Sequence, residues 1–266
     1  MNKLVFGKYI PIDSPIHSLD PRTKIIALFI VIIAIFIPSS WWCYLFLGVI
    51  LLITVLMSGL KLSFVFKAFK PMMFMMVFLL VVNMISVKTG YVLISIGSFE
   101  IWSDAIFNTL FIVVRLLLMI MLTTCLTATT KPLDLTLGIE YLLTPLKRLH
   151  FPAHEVAMMI SIALRFIPTL MEETQRIMKA QASRGVDFNE GTFKEKIAAI
   201  VSLIIPLFIS AFQRAEDLAN AMESRNYNPS ARRTRFHQLH WHYYDTIALT
   251  LVLVLFFGIW GLSFIL

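Results

Sequence analysis

The amino-acid sequence predicts an all-α polytopic membrane protein with about five transmembrane helices and three cytoplasmic helices. Three observations lead to this fold class: the overall hydropathy, the spacing of long apolar segments and the distribution of positive charge. The chain has 266 residues, of which 58% are hydrophobic, and it contains 22 Phe and 14 Met. Soluble domains are about 45–50% apolar. The excess therefore indicates that much of the surface faces lipid.

Five segments are apolar enough to form transmembrane helices, which require about 20 mostly apolar residues. Pro38 ends the first and Gly59 ends the second, so these two form a predicted hairpin. The fourth contains Arg115, for which we expect a structural role, either snorkelling or pairing with an acidic group such as Asp104. The five segments are Ile25–Ile37, Trp41–Ser58, Met72–Val87, Ile106–Thr127 and Tyr244–Leu266.

Lysine and arginine set the expected direction of these helices, because cytoplasmic loops carry an excess of both. Basic residues lie before the first helix, between the second and third, and between the fourth and fifth, whereas the alternate loops are poor in them. We therefore predict a multi-pass cell-membrane protein with a cytoplasmic N-terminus and an outside C-terminus. The residues behind this prediction are Lys3, Lys8, Arg22, Lys24, Lys61, Lys67, Lys70, Lys131, Arg232, Arg233 and Arg235.

The same pattern divides the chain into three parts. Residues 1–130 form a predicted membrane domain with four transmembrane helices, residues 131–240 a cytoplasmic domain, and residues 241–266 a C-terminal transmembrane helix. The net charge of +7 fits cytoplasmic loops beside anionic lipid, so the lipid bilayer is an expected partner and nucleic acid is not.

The segment 131–240 is too long for a structureless loop and is predicted to form three helices. The first, Leu133–Leu149, is short and broken by Pro145. The other two are long and amphipathic, with apolar residues spaced three, four and seven apart. We call Ala153–Ser183 the first arm and Lys194–Ser224 the second arm. The second arm is placed at the membrane interface or against other helices, although a pair of spans here would preserve the same flanking topology.

The two arms resemble each other in sequence. Each has an Ile-Pro pair, then a Gln-Arg pair at the same offset, and then a Ser-Arg pair followed by Gly or Asn. The matching residues are Ile167-Pro168, Gln175-Arg176 and Ser183-Arg184-Gly185 in the first arm, and Ile205-Pro206, Gln213-Arg214 and Ser224-Arg225-Asn226 in the second.

The ends of the arms, which we call the first tip (Ser183-Arg184-Gly185) and the second tip (Ser224-Arg225-Asn226), indicate a binding role. Gly and Asn readily adopt the left-handed conformation that ends a helix. Each arginine is therefore expected on the last turn of a rigid helix, where its planar guanidinium can bind a carboxylate or backbone carbonyls. The alternative is a plain cationic helix end that complements its own dipole. Two similar tips favour docking.

The residues around these tips resemble a known family. Leu164-Arg165-Phe166-Ile167-Pro168, Gln181-Ala182-Ser183-Arg184-Gly185 and Ser224-Arg225-Asn226-Tyr227, with the opening Leu19-Asp20-Pro21-Arg22-Thr23-Lys24, are similar to EcfT, the transmembrane component of energy-coupling factor transporters. The similarity covers essentially the whole chain. It implies three cytoplasmic coupling helices, of which the last two cross in an X.

The resemblance also implies partners and roles. Each tip would lie in a groove of one of two cytoplasmic ATPases, with Arg184 and Arg225 as the docking arginines. An interchangeable substrate-binding membrane protein, the S component, would lie against the coupling helices and topple to release a vitamin or metal ion inside the cell. The usual family tip is Ala-Arg-Gly, whereas this chain has Ser-Arg-Gly and Ser-Arg-Asn. These unequal tips would suit two non-identical ATPases.

Methionine and alanine residues on the arms are the candidates for contact with that S component. Thioether side chains adapt to several shapes, which suits a surface shared by several partners. Ordinary packing against lipid is the alternative. The candidate residues are Met158, Met159, Met171, Met178, Ala211 and Met222.

The sequence contains no Gly-rich phosphate loop and no His-Glu-x-x-His zinc motif. We therefore expect a non-catalytic chain without cofactor or metal, whose energy comes from partner ATPases. His237, His240 and His242 form a cluster that we interpret as an interfacial anchor rather than a metal site. The competing functions are a stand-alone secondary transporter, which would need inverted repeats of spans, and an intramembrane enzyme.

Overall fold

The chain forms two compact units. A computed structural model describes residues 9–37, 40–96, 99–145, 152–188, 190–228 and 239–265. The first unit comprises residues 1–142 and 239–266, and the second unit comprises residues 143–238. The first unit therefore contains the beginning and the end of the chain, and the second is inserted between them.

Nine α-helices and one β-hairpin make up the described part of the chain. In the first unit, α3 continues through a short 3₁₀ turn, Lys70–Met72, into α4. The helices are α1 (Pro21–Phe36), α2 (Trp41–Met57), α3 (Leu62–Phe69), α4 (Met73–Ser86), α5 (Ser103–Thr129), α6 (Pro132–Leu143), α7 (Ala153–Ala182), α8 (Phe193–Ser224) and α9 (Tyr243–Ile265).

Local sequence signals fix where the first helices begin and end. The Asp20 carboxylate accepts a hydrogen bond of 2.8 Å from the Arg22 amide, and Pro21 occupies the first helical position of α1. Gly59 follows α2 with a φ of +72°, and its amide donates to the carbonyl of Leu56. Gly59 thus ends the helix as its position in the sequence predicts.

The core of the first unit surrounds α5. This helix packs against α1, α2, α3 and α4, and α9 packs against α1. The side chains at the centre of this core come from different helices and are fully buried: Ile35, Leu47, Val55, Leu118, Ala128 and Ile259. Most of the remaining apolar surface of these helices is exposed in the chain alone, as expected of helices whose outer faces contact lipid.

The predicted all-α polytopic membrane fold is confirmed. Helices occur at all five predicted transmembrane segments. Four helical stretches of the described chain are long and apolar enough to span a bilayer: Leu62–Ser86, Ser103–Thr129, Phe193–Ser224 and Tyr243–Ser263, with α2 as a shorter apolar helix. The second arm is one of the four, so composition and length also permit it to span.

A β-hairpin joins α4 to α5 and was not part of the prediction. Strand β1 (Val92–Ile96) pairs antiparallel with β2 (Phe99–Trp102), with Val92 opposite Trp102 and a bulge before Ile94. The sequence contains a signal for it, because two runs rich in β-branched and aromatic residues are separated by Gly97 and Ser98. Its shortness and its place beside long apolar helices obscured that signal.

Helix α6 is shorter than predicted, and all of it except Leu143 belongs to the first unit. It ends at Leu143, and residues 146–149 of the predicted Leu133–Leu149 helix lie outside the described residues. Gly138 lets α6 approach α1 closely, because a Cβ atom there would lie only 3.0 Å from Ile25 Cδ1 and 3.3 Å from Pro21 Cβ. The division of the chain at residues 130 and 240 with respect to the membrane stays a prediction.

Of the two alternatives for Arg115, pairing with Asp104 is not seen among the described residues, and snorkelling stays a prediction. Its guanidinium donates to the Tyr44 hydroxyl, over 2.7 Å from Nη2 and 3.3 Å from Nε, and lies 5.0 Å from the centre of the Phe36 ring. In the described chain Asp104 instead accepts a hydrogen bond from Ser103. A phenol and an aromatic ring can stabilise a cation in a membrane without a second charge. The structural role of Arg115 stays a prediction.

This arrangement predicts that Tyr44→Phe destabilises the first unit. Removing the hydroxyl deprives the half-buried Arg115 of the oxygen that accepts two of its hydrogen bonds, at a cost of about 1–3 kcal/mol. Thermal unfolding of the purified protein in detergent should show a lower midpoint. Tyr91→Phe is the matched control, because Tyr91 is 62% exposed. Equal midpoints for the two variants would contradict the assignment.

Candidate functional site

The two arms are long continuous helices. The first arm is α7, with 30 residues, and the second arm is α8, with 32 residues. Thr192 begins α8 through a capping box, in which its side chain accepts from the Glu195 amide and Glu195 accepts from the Thr192 amide. At about 1.5 Å per residue each arm is about 45 Å long. The predicted boundaries of both arms are confirmed within one residue.

The arms pack against each other in opposite directions. Near the end of α7, Gln181 Nε2 donates to the carbonyl of Ser202, over 3.4 Å, in the first half of α8. Further back along α7, Glu173 forms an ion pair with Arg214. Residue numbers therefore fall along one arm as they rise along the other, which makes the pair antiparallel.

A shallow apolar groove lies between the arms. It has a volume of about 260 Å³. The groove begins at Arg214 of the ion pair and follows the contact between the two helices away from that pair. Its small residues let the two backbones approach, and its larger residues fill the space between them. The lining residues are Ile162, Phe166, Leu170, Ala211, Arg214, Ala215, Leu218, Ala219 and Met222.

The first tip ends α7 in a Schellman motif. The Val186 amide donates to the Gln181 carbonyl over 3.1 Å, and the Gly185 amide donates to the Ala182 carbonyl over 3.0 Å. Gly185 has a φ of +86°, and a Cβ atom there would meet no atom within 4 Å. Backbone conformation, and not space, therefore favours glycine. Arg184 is the last residue before this left-handed turn.

The second tip ends α8 in the same way. The Tyr227 amide donates to the Met222 carbonyl over 3.0 Å, and the Asn226 amide donates to the Glu223 carbonyl over 2.8 Å. Asn226 has a φ of +56°, and it is the only non-glycine residue with positive φ in the described part of the chain. Arg225 therefore occupies the position that Arg184 occupies in the first tip. The predicted left-handed ends are confirmed for both arms.

Both arginines are exposed, and neither forms an ion pair with any other described residue. Because the arms are antiparallel, the tips lie at opposite ends of the pair. The stretch of α8 from Ser202 to Arg225 separates them, so at about 1.5 Å per residue they are about 35 Å apart. The two guanidinium groups are thus available to two different binding sites.

The serines of the tips bond within their own helices. Ser183 Oγ donates to the Lys179 carbonyl over 3.0 Å, and Ser224 Oγ donates to the Ala221 carbonyl over 3.1 Å. The Lys179 carbonyl accepts from the Ser183 backbone amide as well, so at the first tip the hydroxyl adds a second bond to the same carbonyl. Serine is small, so it keeps the last turn compact.

The six candidate contact residues on the arms differ in exposure. Met159 is 61% exposed and Met171 is 37% exposed, so both are available for contact. Met158, Met178, Ala211 and Met222 are half-buried. Met158 accepts a hydrogen bond of 3.0 Å from the Tyr227 hydroxyl, and Met222 lines the groove. The structure therefore gives these two a part in holding the arms together.

The ion pair that links the arms was not predicted from the sequence. Glu173 and Arg214 are both partly buried, with side-chain exposures of 24% and 29%. Arg214 and Arg176 match in the repeat, yet only Arg214 is paired among the described residues, while Arg176 is exposed. An arginine and a glutamate on facing helices were the available signal, but their pairing depends on an antiparallel register that no local pattern gives.

The histidine cluster is only partly described, since His237 lies outside the described residues. The His242 amide donates to Asp245 over 2.8 Å, so a carboxylate does lie close to the cluster. This bond caps the beginning of α9 and involves no imidazole nitrogen. The anchoring role stays a prediction.

The chain is similar to proteins of known name over nearly its whole length. The family model CbiQ, described as cobalt transport protein, matches residues 13–237. A protein of Macrococcus caseolyticus named energy-coupling factor transporter transmembrane protein EcfT is 47% identical over 94% of each chain. The protein of the same name from Bacillus subtilis is 43% identical over 96% of each chain. EcfT 1 of Listeria monocytogenes is 43% identical over 97% of each chain.

The helices and these similarities define a multi-pass membrane protein with a transport role. The chain belongs to the CbiQ family and, within it, to the EcfT transmembrane components of energy-coupling factor transporters. These are transporter membrane components and not an enzyme family. The resemblance inferred from the sequence is confirmed.

The cap geometry predicts that Gly185→Ala loosens the first tip, because a left-handed conformation costs a residue with a Cβ atom about 1 kcal/mol. Amide hydrogen exchange of residues 181–186, measured by mass spectrometry, should become faster. Gly258→Ala is the control, since a Cβ atom there also meets nothing within 4 Å but Gly258 has no positive φ. Unchanged exchange at the tip of Gly185→Ala would contradict this account.

The ion pair predicts coupling between the arms. Because the pair is partly exposed, Glu173→Gln and Arg214→Gln should each destabilise the second unit modestly, with a coupling energy of about 0.5–1 kcal/mol in a double-mutant cycle. Glu172→Gln is the control, because Glu172 is exposed and precedes Glu173 directly. Fully additive effects in thermal unfolding would show that the pair carries no coupling.

Proposed function

We propose that this chain transmits motion from two cytoplasmic ATPases to a substrate-binding membrane subunit of an energy-coupling factor importer. The observation that supports this most directly is the pair of exposed arginines on helix ends with the same backbone motif, at opposite ends of one antiparallel helix pair. Import of a vitamin or another micronutrient would follow from this role. Substrate specificity would reside in the membrane subunit.

The separation of the tips favours two partners over one. The rise of the α-helix places the two arginines about 35 Å apart. This distance is greater than a single small pocket can span. We propose that the two arms, which pack against each other and are linked by the Glu173–Arg214 ion pair, move together. Displacement of one tip would therefore displace the other, which is the property that a coupling element needs.

The chemistry of docking follows from the arginine at each tip. A guanidinium group presents five N–H donors in a fixed plane and binds carboxylates or carbonyl oxygens in pairs. Its position before a Schellman turn holds it beyond the end of the helix. We propose that Ser183, Arg184 and Gly185 enter a groove of one ATPase and that Ser224, Arg225 and Asn226 enter a groove of the other.

The two tips differ most at the left-handed residue. Gly185 has no side chain and open space around it, whereas Asn226 adds a carboxamide that donates and accepts hydrogen bonds. A groove that fits one tip closely would therefore not fit the other equally well. This difference supports two non-identical ATPases.

The exposed apolar face of α8 is the proposed surface for the substrate-binding subunit. Exposing so many large apolar side chains to water is unfavourable, and the face lies on the arm that composition allows to enter the bilayer. Met159 and Met171 on α7 add adaptable side chains. The exposed residues on α8 are Phe193, Ile197, Ile200, Val201, Ile204, Ile205, Phe208, Ile209 and Phe212.

The proposed orientation places both tips in the cytoplasm, where ATP-hydrolysing partners work. It puts the N-terminus on that side and the C-terminus outside. Its support is the arrangement of lysine and arginine along the sequence.

Docking is tested by co-purification of the ATP-binding subunits that are co-expressed with this chain. Arg184→Ala and Arg225→Ala should each weaken the complex by about tenfold, or about 1.4 kcal/mol, because each removes one buried charged contact. The double variant should lose the ATPases. Arg184→Lys should not restore full binding, since an ammonium lacks the planar pair of donors.

Lys179→Ala is the matched control, because Lys179 is an exposed basic residue one turn before the first tip. It removes the same charge without touching the arginine. Retention of both ATPases by the double arginine variant, at the level of the control, would overturn the docking assignment.

A further inference from the structure

A groove in the side of the first unit, which we call the lateral cavity, has a volume of about 560 Å³. Its walls belong to α1, α2, α5 and α9, with two residues of the segment that precedes α1, and all of these residues lie in the first unit. We propose that the lateral cavity binds one acyl chain of a membrane phospholipid. This inference goes beyond the proposed coupling function and does not depend on it.

The wall of the lateral cavity offers few polar groups to a ligand. Among its described lining residues the polar ones are Thr23, Lys24, Thr54 and Thr129. The hydroxyls of Thr54 and Thr129 donate to carbonyl groups of their own helices, and the Thr23 hydroxyl is buried. The Lys24 ammonium donates to three oxygen atoms of the protein. A polar ligand would lose its hydrogen bonds to water here without replacing them, so the wall suits a hydrocarbon.

The lateral cavity is much larger than an ordinary packing defect. Protein interiors leave few voids larger than a water molecule, whereas this volume lies in the range of ligand pockets, about 300–1,000 Å³. An apolar cavity does not attract water, and one of about 150 Å³ stays dry and binds benzene. A larger apolar cavity that meets the hydrocarbon of a bilayer is therefore expected to hold hydrocarbon.

The lateral cavity opens toward the surface that faces lipid. Leu47 at its back is 0% exposed, whereas Val254 at its rim is 70% exposed. The exposed lining residues belong to α2 and α9: Phe46, Met57, Leu251 and Val254. Their side chains are continuous with the apolar outer faces of the same two helices, which contact lipid in a membrane protein. An acyl chain can therefore enter between α2 and α9 without leaving the hydrocarbon layer.

The length and direction of the lateral cavity match one leaflet of a bilayer. On α2 its lining extends from Phe46 to Met57, which is about 16 Å at about 1.5 Å per residue. The hydrocarbon core is about 30 Å thick, so one leaflet provides about 15 Å. The four polar lining residues all lie at the end of the cavity where α1 begins and where α2 and α5 end. A phospholipid has the same polarity, with a polar head at the surface and a chain directed inward.

The acyl chain, and not the headgroup, is expected to determine binding. Lys24 is the charged residue among the described lining residues. A lysine ammonium has three N–H donors, and those of Lys24 bind the carbonyls of His17 and Thr129, both over 3.2 Å, and the Thr130 hydroxyl over 3.3 Å. Lys24 therefore has no donor left for a phosphate group.

The experiment is native mass spectrometry of the full chain, released in a mild detergent from nanodiscs of a phosphatidylcholine with palmitoyl and oleoyl chains. The native chain should retain one phospholipid. Ala248 and Ala27 line the cavity on α9 and α1. Ala248→Phe and Ala27→Phe should each reduce the lipid-bound fraction by about tenfold, because the added ring occupies space that the acyl chain needs.

Gly258→Phe is the matched control. Gly258 lies on α9, as Ala248 does, but outside the cavity lining, and a Cβ atom there meets nothing within 4 Å. It adds the same ring to the outer surface and should retain phospholipid as the native chain does. Adding phospholipid back to lipid-free protein should raise the thermal unfolding midpoint of the native chain and of the control, but not of the two cavity variants.

The headgroup is tested by a phosphatidylglycerol with the same two chains. It should be retained within about twofold of the phosphatidylcholine, because the Lys24 donors are already bonded.

Three outcomes would overturn the proposal. The first is a native chain that carries no phospholipid, or that carries detergent or a second copy of itself instead. The second is equal retention by both cavity variants and the control, which would place the lipid elsewhere. The third is retention of phosphatidylglycerol alone, which would show recognition of the headgroup in place of the acyl chain.

Discussion

The position of both tips depends on the antiparallel contact between α7 and α8. Each helix ends in the same backbone motif, but a single helix end would be only a cationic cap. The contact at Glu173 and Arg214, with the apolar groove beside it, sets the two ends about 35 Å apart and keeps them there. Without that contact the arms would present two independent charges. With it they present one arginine at each end of an antiparallel helix pair.

The first unit has to resolve a different constraint, because it places charges beside apolar helices. Arg115 is stabilised by a phenol and an aromatic ring, and Lys24 by three oxygen acceptors. Buried charges of this kind are costly unless their hydrogen bonds are satisfied. The Lys24 ammonium meets this requirement with oxygen atoms from the chain before α1 and from the end of α5. In Asp20 and Arg22 the requirement is met only in part, because Asp20 Oδ2 and Arg22 Nε are buried without a hydrogen-bond partner among the described residues.

The two units expose different features. The second unit exposes cationic tips and a long apolar face, which are the surfaces that we propose for partners. The first unit buries polar groups at several places, among them Asp20, Lys24, Ser103 and Thr109, and exposes many apolar side chains, as a bundle in lipid does.

The sequence alone determined most of the helices, although not α3, and it determined the bounds of both arms and the left-handed residues Gly185 and Asn226, because these depend on short-range periodicity and on backbone preferences of single residues. It also carried the resemblance that identified the family. Only the tertiary structure decided that Glu173 pairs with Arg214, that Arg115 binds Tyr44, that α6 packs on α1, and that Arg22 reaches both Tyr141 and Leu239. These contacts join residues far apart in the chain, and the way whole helices pack against one another decides which of them meet.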